Sequence, residues 1–226
     1  MAATYAKSGL RVLLVDADPQ GSALQWSTAR DAEPLFPVIG MAKPTLHRDL
    51  PEIAQDYQMV IIDGAPRVNE LGRAAILASD LVLIPVQPSP YDIWAASDTV
   101  ALIQEAQQFK PDLKAAFVIN RKIANTAIGR DVGDALAQFE GVPVLKSPLH
   151  QRVIYAESAG QGLAVMEAEP NSEAAREIAA LALRELDSDA RDAMHGLSDA
   201  AALRAFMTAF TEALHDSNTE PLHLVL

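Results

Sequence analysis

Three aspartates lie where apolar runs end, and their chemistry would be Mg²⁺ binding and the orientation of an attacking water. Asp16 and Asp18 belong to the segment VLLVDADPQGS, and Asp63 ends the apolar run of MVIIDGAP. Mg²⁺ prefers carboxylate oxygens, and a carboxylate can also position a water. Asp16 ends the apolar run and Asp18 lies beyond it in the turn, so we expect the two carboxylates to have different roles. A polar turn begun by Asp-Pro explains the same two residues equally well.

Two later patterns add to this chemistry, although each is weak alone. Four apolar residues followed by Asp63 have the form of a Walker B strand, whose carboxylate binds Mg²⁺ directly or through a water. Many α/β proteins have strands that end in this way. The run that ends at Asn120 is followed by Arg121 and Lys122. The Asn120 amide could read a purine edge, or it could simply cap the strand.

Short apolar runs, separated by longer helical patterns, must position these residues. The runs have strand length and lack polar alternation, which is typical of strands buried on both faces of a parallel sheet. The pattern predicts an α/β fold with a mostly parallel sheet flanked by helices. The predicted strands are residues 10–15, 59–62, 81–86 and 115–119, and the predicted crossover helices are residues 69–79, 91–109 and 128–139.

The last part of the sequence reads as helical. A helix is predicted from an N-cap at Asn171 or Ser172 to about residue 186, and a second over residues 198–214. We therefore divide the chain into a domain of residues 1–186 and a helical extension of residues 187–226. The apolar stripe of the second helix either packs on the main body or forms a partner surface. The sequence does not indicate what the extension does.

The composition excludes several classes of function. The 226 residues contain no cysteine, which excludes disulfides, zinc–thiolate sites and cysteine nucleophiles. Lys and Arg number 18 against 30 Asp and Glu, a net charge of −12. This balance argues against a protein that coats nucleic acid by bulk charge. No apolar run is long enough for a membrane span, so we expect a cytoplasmic protein.

Together, the segments DADPQGS, VIIDGAP, DLVLIPVQPSPYD and FVINRK, in this order and spacing, resemble the ParA/MinD family of deviant Walker ATPases. The likeness is strongest to small ParA-type plasmid partition proteins and covers about residues 1–185. It implies a P-loop NTPase-like fold and an enzyme that uses ATP and Mg²⁺. It also implies an ATP-dependent homodimer that binds DNA non-specifically on the nucleoid and is stimulated by a centromere-binding, ParB-type adaptor.

The resemblance also implies roles for individual residues. Asp18 matches the catalytic aspartate that positions the attacking water, Asp16 its neighbour in the catalytic and Mg²⁺ network, and Asp63 the Walker B metal ligand. The residues that match adenine contacts and the loop that closes over the base are Asn120, Arg121 and Pro148. We expect Arg152, and with less support Arg130 and Lys146, to contact DNA phosphates; solvated surface charge is the alternative.

One family element has no counterpart in this sequence. No segment reads G-x-x-x-x-G-K-[ST], the Walker A loop whose backbone amides and lysine hold the phosphates. We therefore expect the chain as numbered to bind ATP poorly and not to hydrolyse it, and its sheet to have a gap in the middle where the loop's strand would lie. A gene model that starts at an internal methionine is the simplest explanation. A natural pseudo-ATPase and a deliberate deletion are the alternatives.

Two other functions compete with a partition ATPase. One is a non-catalytic interaction module that keeps the fold and pairs with an intact paralogue. The other is a MinD-like ATPase that binds membranes through a basic amphipathic helix. Residues 216–226 contain no Lys or Arg, so we expect no membrane partner. Trp26 and Trp94 are expected to pack rather than to stack on bases.

Overall fold

A computed structural model of the chain describes residues 1–65, 69–182 and 222–225, the last four as backbone only. Six strands form one sheet in the order β2-β1-β3-β6-β4-β5, and all of its pairings are parallel. The strands are β1 Val12–Asp16, β2 Val38–Gly40, β3 Met59–Asp63, β4 Leu81–Val86, β5 Lys114–Ile119 and β6 Leu222–Val225.

Helices cover the sheet, which confirms the predicted α/β class. They are α1 Ala2–Lys7, α2 Ser22–Thr28, α3 Leu46–Ile53, α4 Glu70–Leu77, α5 Pro90–Gln107, α6 Ala127–Leu136, α7 Val153–Gly160, α8 Val165–Ala168 and α9 Glu173–Ala180. None of the helices in the described residues is long and apolar enough to cross a bilayer.

The four predicted strands are present, because their apolar side chains fill a core on each face of the sheet. In β1, Leu13 and Val15 belong to the larger core beneath α3, α4, α5 and α6. Val12 belongs to the second core, with α1. This two-residue alternation between two apolar cores explains why the run shows no polar alternation.

The predicted crossover helices are also confirmed, and side-chain caps fix where two of them begin. The Asn69 carboxamide accepts hydrogen bonds from the amides of Leu71 and Gly72 at the start of α4. Thr126 accepts one from Gly129 in the same way at α6. An N-cap side chain satisfies amides that the first helical turn leaves free. Ser172 caps α9, as its sequence predicted.

The expected gap in the middle of the sheet is wrong, because β6 fills it. β6 pairs with β3 on one side, with Ile61 opposite Leu224, and with β4 on the other, with Leu81 opposite Leu224. Two strands facing an empty slot would leave their amides and carbonyls unpaired, which is costly in a buried sheet. These four residues were assigned to a helical extension and instead form a strand. The rest of that extension, including the predicted helix of residues 198–214, lies outside the described residues.

A buried ion pair joins the end of α2 to the start of α8. The Arg30 guanidinium donates two hydrogen bonds to the Glu167 carboxylate, at 2.7 and 2.9 Å. The two side chains are only 6% and 11% exposed. Burial alone would raise the pKa of Glu167, but hydrogen bonds from Arg30 and from the Ala164 amide outweigh it and lower that pKa. The pair is therefore charged and fully hydrogen-bonded.

Candidate functional site

The carboxyl ends of β1 and β3 bring two of the predicted aspartates side by side. The parallel register places Asp16 opposite Asp63. The next amide, that of Ala17, donates to the Asp63 carbonyl at 2.9 Å. Loops beyond this edge of a parallel sheet form the crevice in which α/β proteins bind ligands. The apolar runs before each aspartate fix this register, because a slip of one residue would move every side chain to the opposite face.

Asp16 and Asp18 have different surroundings, because Asp16 ends β1 and Asp18 lies in the loop that follows. The Asp16 side chain is buried, and its two oxygens accept hydrogen bonds from the amides of Asp18, at 3.2 Å, and Leu24, at 2.9 Å. It thus fastens the loop and the first turn of α2 to the end of β1. The half-buried Asp18 accepts only from the nearby Gln20 amide, at 2.9 Å, among the described residues.

Of the three predicted aspartates, Asp63 is the one whose negative charge is least compensated by hydrogen-bond donors. Burial, followed by the negative charges of Asp16 and Asp18, raises the pKa of Asp63. All three carboxylates therefore lie within electrostatic reach of one another. Within the described ranges, no hydrogen-bond donor contacts the Asp63 carboxylate, and no three His, Cys, Asp or Glu side chains form a ready-made metal cluster. A partly buried carboxylate without a donor, beside other negative charges, favours a bound cation. Asp63 is therefore the residue that would hold Mg²⁺.

We expect replacement of Asp63 by asparagine to raise the thermal midpoint of the Mg²⁺-free protein by a few degrees at neutral pH. Because the folded-state pKa of Asp63 is raised, the stability that its protonation provides is complete below the ordinary aspartate pKa and is lost as the pH rises through the raised value. The gain from asparagine should therefore shrink as the pH falls. Mg²⁺ should raise the midpoint of the parent chain more than that of the variant.

The control for this prediction is Asp98→Asn, a substitution of an exposed aspartate on α5. It should leave both the midpoint and the Mg²⁺ response unchanged in scanning calorimetry. A lower midpoint for Asp63→Asn at neutral pH would contradict the prediction, as would an equal Mg²⁺ response in both proteins.

A second group of predicted residues lines an open cavity of about 1,610 Å³ at the end of β5. Asn120 and Arg121 are both part of its wall. The Asn120 carboxamide accepts from the Arg121 amide at 2.9 Å, and Arg121 has a positive φ of 50°. This conformation is uncommon for a residue other than glycine, and the residues that adopt it are often found at ligand sites. Pro148 is not part of the wall, but the next residue, Leu149, is.

Two residues that the sequence analysis did not select organise this wall. Glu177 on α9 accepts from Arg152 Nη2 at 2.7 Å and from the His150 amide at 3.1 Å, and its carboxylate lies 2.8 Å from His150 Nδ1. Burial would raise the pKa of Glu177, but the hydrogen bonds from Arg152 and His150 lower it. Glu173 also pairs with Arg152, at 2.8 Å. Partners 21 and 25 residues apart leave no spacing signal in the sequence.

The three predicted DNA contacts are not brought together by the fold. Arg152 lines the cavity but already carries two carboxylate partners, and its side chain is 30% exposed. Arg130 lies on the exposed surface of α6, and Lys146 is exposed in the loop between α6 and α7. The cationic wall of the cavity is completed by Arg121, Lys122 and Arg176.

The aspartates and the Asn120 cavity lie on the same edge of the sheet. Asp63 borders a smaller, mostly apolar cavity of about 400 Å³. Tyr155 and Ile178 line both cavities, so the two spaces adjoin. A ligand that reached from the aspartates to Asn120 would cross the ends of β6 and β4. The arrangement suits an elongated ligand with an anionic, metal-bound end and a planar, hydrogen-bonding end.

Comparison with known proteins agrees with this geometry. An AAA domain family model matches residues 29–115. The "Maintenance of carboxysome distribution protein A" of Halothiobacillus neapolitanus is 31% identical over 160 residues, which cover 70% of this chain and 74% of that protein. The "Chromosome-partitioning ATPase Soj" of Thermus thermophilus is 27% identical, covering 76% and 82%.

Among solved structures, the septum site-determining protein MinD of Pyrococcus horikoshii, in complex with Mg-ADP, superimposes with a TM-score of 0.59. The match covers 78% of this chain and 83% of that protein at 17% identity. At this level of identity the likeness concerns the fold, and it agrees with the parallel, helix-flanked sheet described above.

Proposed function

The chain belongs to the ParA/MinD family of P-loop ATPases, and from this premise we propose that it is a ParA-type positioning ATPase that segregates plasmid or chromosomal DNA. In this proposal it acts on the nucleoid in the cytoplasm, through ATP-dependent dimerisation, non-specific DNA binding and a ParB-type adaptor. The observation that supports it best is the pairing of Asp16 with Asp63 at adjoining strand ends, with Asp18 in electrostatic reach.

Each aspartate has a part in this proposal that follows from its surroundings. Asp63 holds Mg²⁺, directly or through a water, and the ion would neutralise phosphate charge. Asp16, which already binds two amides, fixes the loop that carries Asp18. Asp18 has an oxygen free of partners within the described residues, and it orients the attacking water. The Asn120 carboxamide and Arg121 face the base.

The proposal also accounts for the missing Walker A loop. None of the 226 residues form the sequence G-x-x-x-x-G-K-[ST], whose backbone amides and lysine hold the phosphates. We therefore expect the chain as numbered to show little ATP hydrolysis. A matching test protein carries, before Met1, a strand and a G-x-x-x-x-G-K-[ST] loop taken from a ParA relative, and it ends at residue 221, so that the added strand can take the central place that β6 occupies.

The experiment compares two variants in this extended protein, with Mg²⁺-dependent phosphate release and DNA retention on filters as readouts. Asp18→Ala should lower hydrolysis by about 10²-fold or more, because a positioned water is lost, but should leave DNA retention intact. Arg152→Ala should lower DNA retention but leave hydrolysis intact, and it should also reduce the salt dependence of DNA binding. Each variant is thus the control for the other.

Three outcomes would count against parts of the proposal. Equal hydrolysis with and without Asp18 would remove its catalytic role. Unchanged DNA affinity of Arg152→Ala at low salt would show that the arginine only anchors Glu173 and Glu177. An extended protein that retains nucleotide but never hydrolyses it would favour the non-catalytic interaction module.

The 31% identical relative favours a second candidate cargo. That protein is named for carboxysome distribution, so this chain could position a large protein assembly rather than a plasmid. Deletion of the gene for this chain, with the protein assembly labelled by a fluorescent fusion, distinguishes the two cargoes. If the cargo is the assembly, it should become scattered or clustered. If the cargo is a plasmid, a low-copy replicon should become unstable.

A further inference from the structure

An aromatic pair is exposed at the start of α5. The Tyr91 and Trp94 side chains are 77% and 66% exposed, and their rings meet edge to face with centroids 5.5 Å apart. The expectation that Trp94 packs is therefore wrong, because most of its side chain is exposed. Trp26, in contrast, stacks on Phe36 as expected. Exposed Trp and Tyr side chains that neighbour an apolar surface are the usual anchors of protein interfaces.

Trp94 forms one wall of a groove between α5 and α6 that encloses about 270 Å³. Ile93 continues the same wall, and Ile128 and Val132 on α6 form the other. Ile128 is itself 45% exposed. The volume is sufficient for one large apolar side chain, and the lining is apolar except for Asp131 and Gln138.

The surroundings of the groove are acidic. Besides Glu105, which pairs with Arg73 away from the groove, α5 and α6 carry four carboxylates and one cationic side chain, Arg130. The four carboxylates are those of Asp92, Asp98, Asp131 and Asp134. Asp131 lines the groove. Asp98 follows Trp94 by one helical turn, on the same face of α5. An apolar slot beside carboxylates selects a partner that combines an apolar side chain with positive charge.

We propose that this groove binds a short segment of a partner protein, in which an aromatic or large aliphatic anchor is flanked by lysine or arginine. The anchor fills the slot beside Trp94, and the cations pair with Asp98 and Asp131. Nucleic acid is a poor occupant because its phosphates would face the carboxylates. A second copy packed groove to groove is disfavoured because it would bring the carboxylates of the two copies together. The groove uses none of the nucleotide or Mg²⁺ residues, so this proposal does not rest on the proposed function.

The probe is a fluorescent ten-residue peptide with a central phenylalanine between lysines, and its counterpart has glutamates in place of the lysines. Fluorescence anisotropy with the full chain at low ionic strength should show saturable binding of the lysine peptide only. Trp94→Ala should weaken this binding by about 10-fold or more. Asp131→Lys should weaken it too, and raised salt should mimic the effect of that variant.

The matched control is Phe109→Ala. Phe109 is 80% exposed but lies outside the groove, so its loss should leave the dissociation constant unchanged. No saturable binding of the lysine peptide would overturn the proposal, as would equal binding of the glutamate peptide or an equal effect of Phe109→Ala. A dimer that Trp94→Ala dissociates in analytical ultracentrifugation would assign the groove to a second copy instead.

Discussion

A proline in place of Leu224 should lower the free energy of unfolding by about 3 kcal/mol or more. β6 is paired on both sides, and Leu224 lies opposite Ile61 of β3 and opposite Leu81 of β4. Proline cannot donate to the ladder, and it is tolerated in sheets only at edges and bulges. Urea unfolding should show a lower midpoint for the variant, or no cooperative transition at all.

A cysteine pair tests the same strand without disrupting it. The chain has no cysteine, so Ile61→Cys with Leu224→Cys introduces the only two thiols. Residues in register on adjoining strands are close enough for a disulfide. Mild oxidation should link this pair within one chain, whereas the control pair Ile61→Cys with Leu222→Cys, two residues out of register, should link poorly. Equal linking of both pairs, or none of either, would show that β6 does not occupy this slot.

Replacing Arg30 with methionine should cost about 3–5 kcal/mol of stability, because it leaves the Glu167 carboxylate buried without its partner. Both side chains are nearly inaccessible, at 6% and 11% exposure. The exposed pair Arg73–Glu105, at 52% and 54%, is the matched control. Arg73→Met should change stability by about 1 kcal/mol or less, because water screens that pair.

A second substitution separates the lost charge pairing from lost packing. Adding Glu167→Gln to Arg30→Met removes the uncompensated charge, so the double variant should recover much of the loss in urea unfolding. A double variant less stable than Arg30→Met would show that packing of the arginine stem dominates. Equal losses for Arg30→Met and Arg73→Met would contradict the importance of burial.

The fold was predictable where a local pattern reports burial directly. Runs such as that ending at Asp16 are apolar on both faces, and only a covered parallel sheet explains them. Parallel strands end at one edge of the sheet, so the strand prediction alone placed Asp16 and Asp63 on that edge, but it did not show that their strands adjoin. The edge strand β2 was missed because it has three residues and no fully buried side chain.

The remaining features depend on contacts between distant parts of the chain. The Glu177 network joins α9 to the loop between α6 and α7, and no periodicity relates Glu177 to Arg152. β6 was missed because a four-residue apolar segment does not reveal which strands it will join. The exposure of Trp94 depends on how closely α5 and α6 approach, and the sequence of either helix does not determine this.

The place of β6 in the sheet also bears on how the polypeptide acquires its structure during synthesis. β3 and β4 emerge from the ribosome long before residues 222–225, yet they join through that later strand. Until those residues emerge, two apolar strands each present a bare edge to other nascent chains. The sheet is therefore completed late in synthesis. We expect the yield of this protein in cells to depend on chaperone capacity more strongly than that of an α/β domain whose central strands are synthesised first.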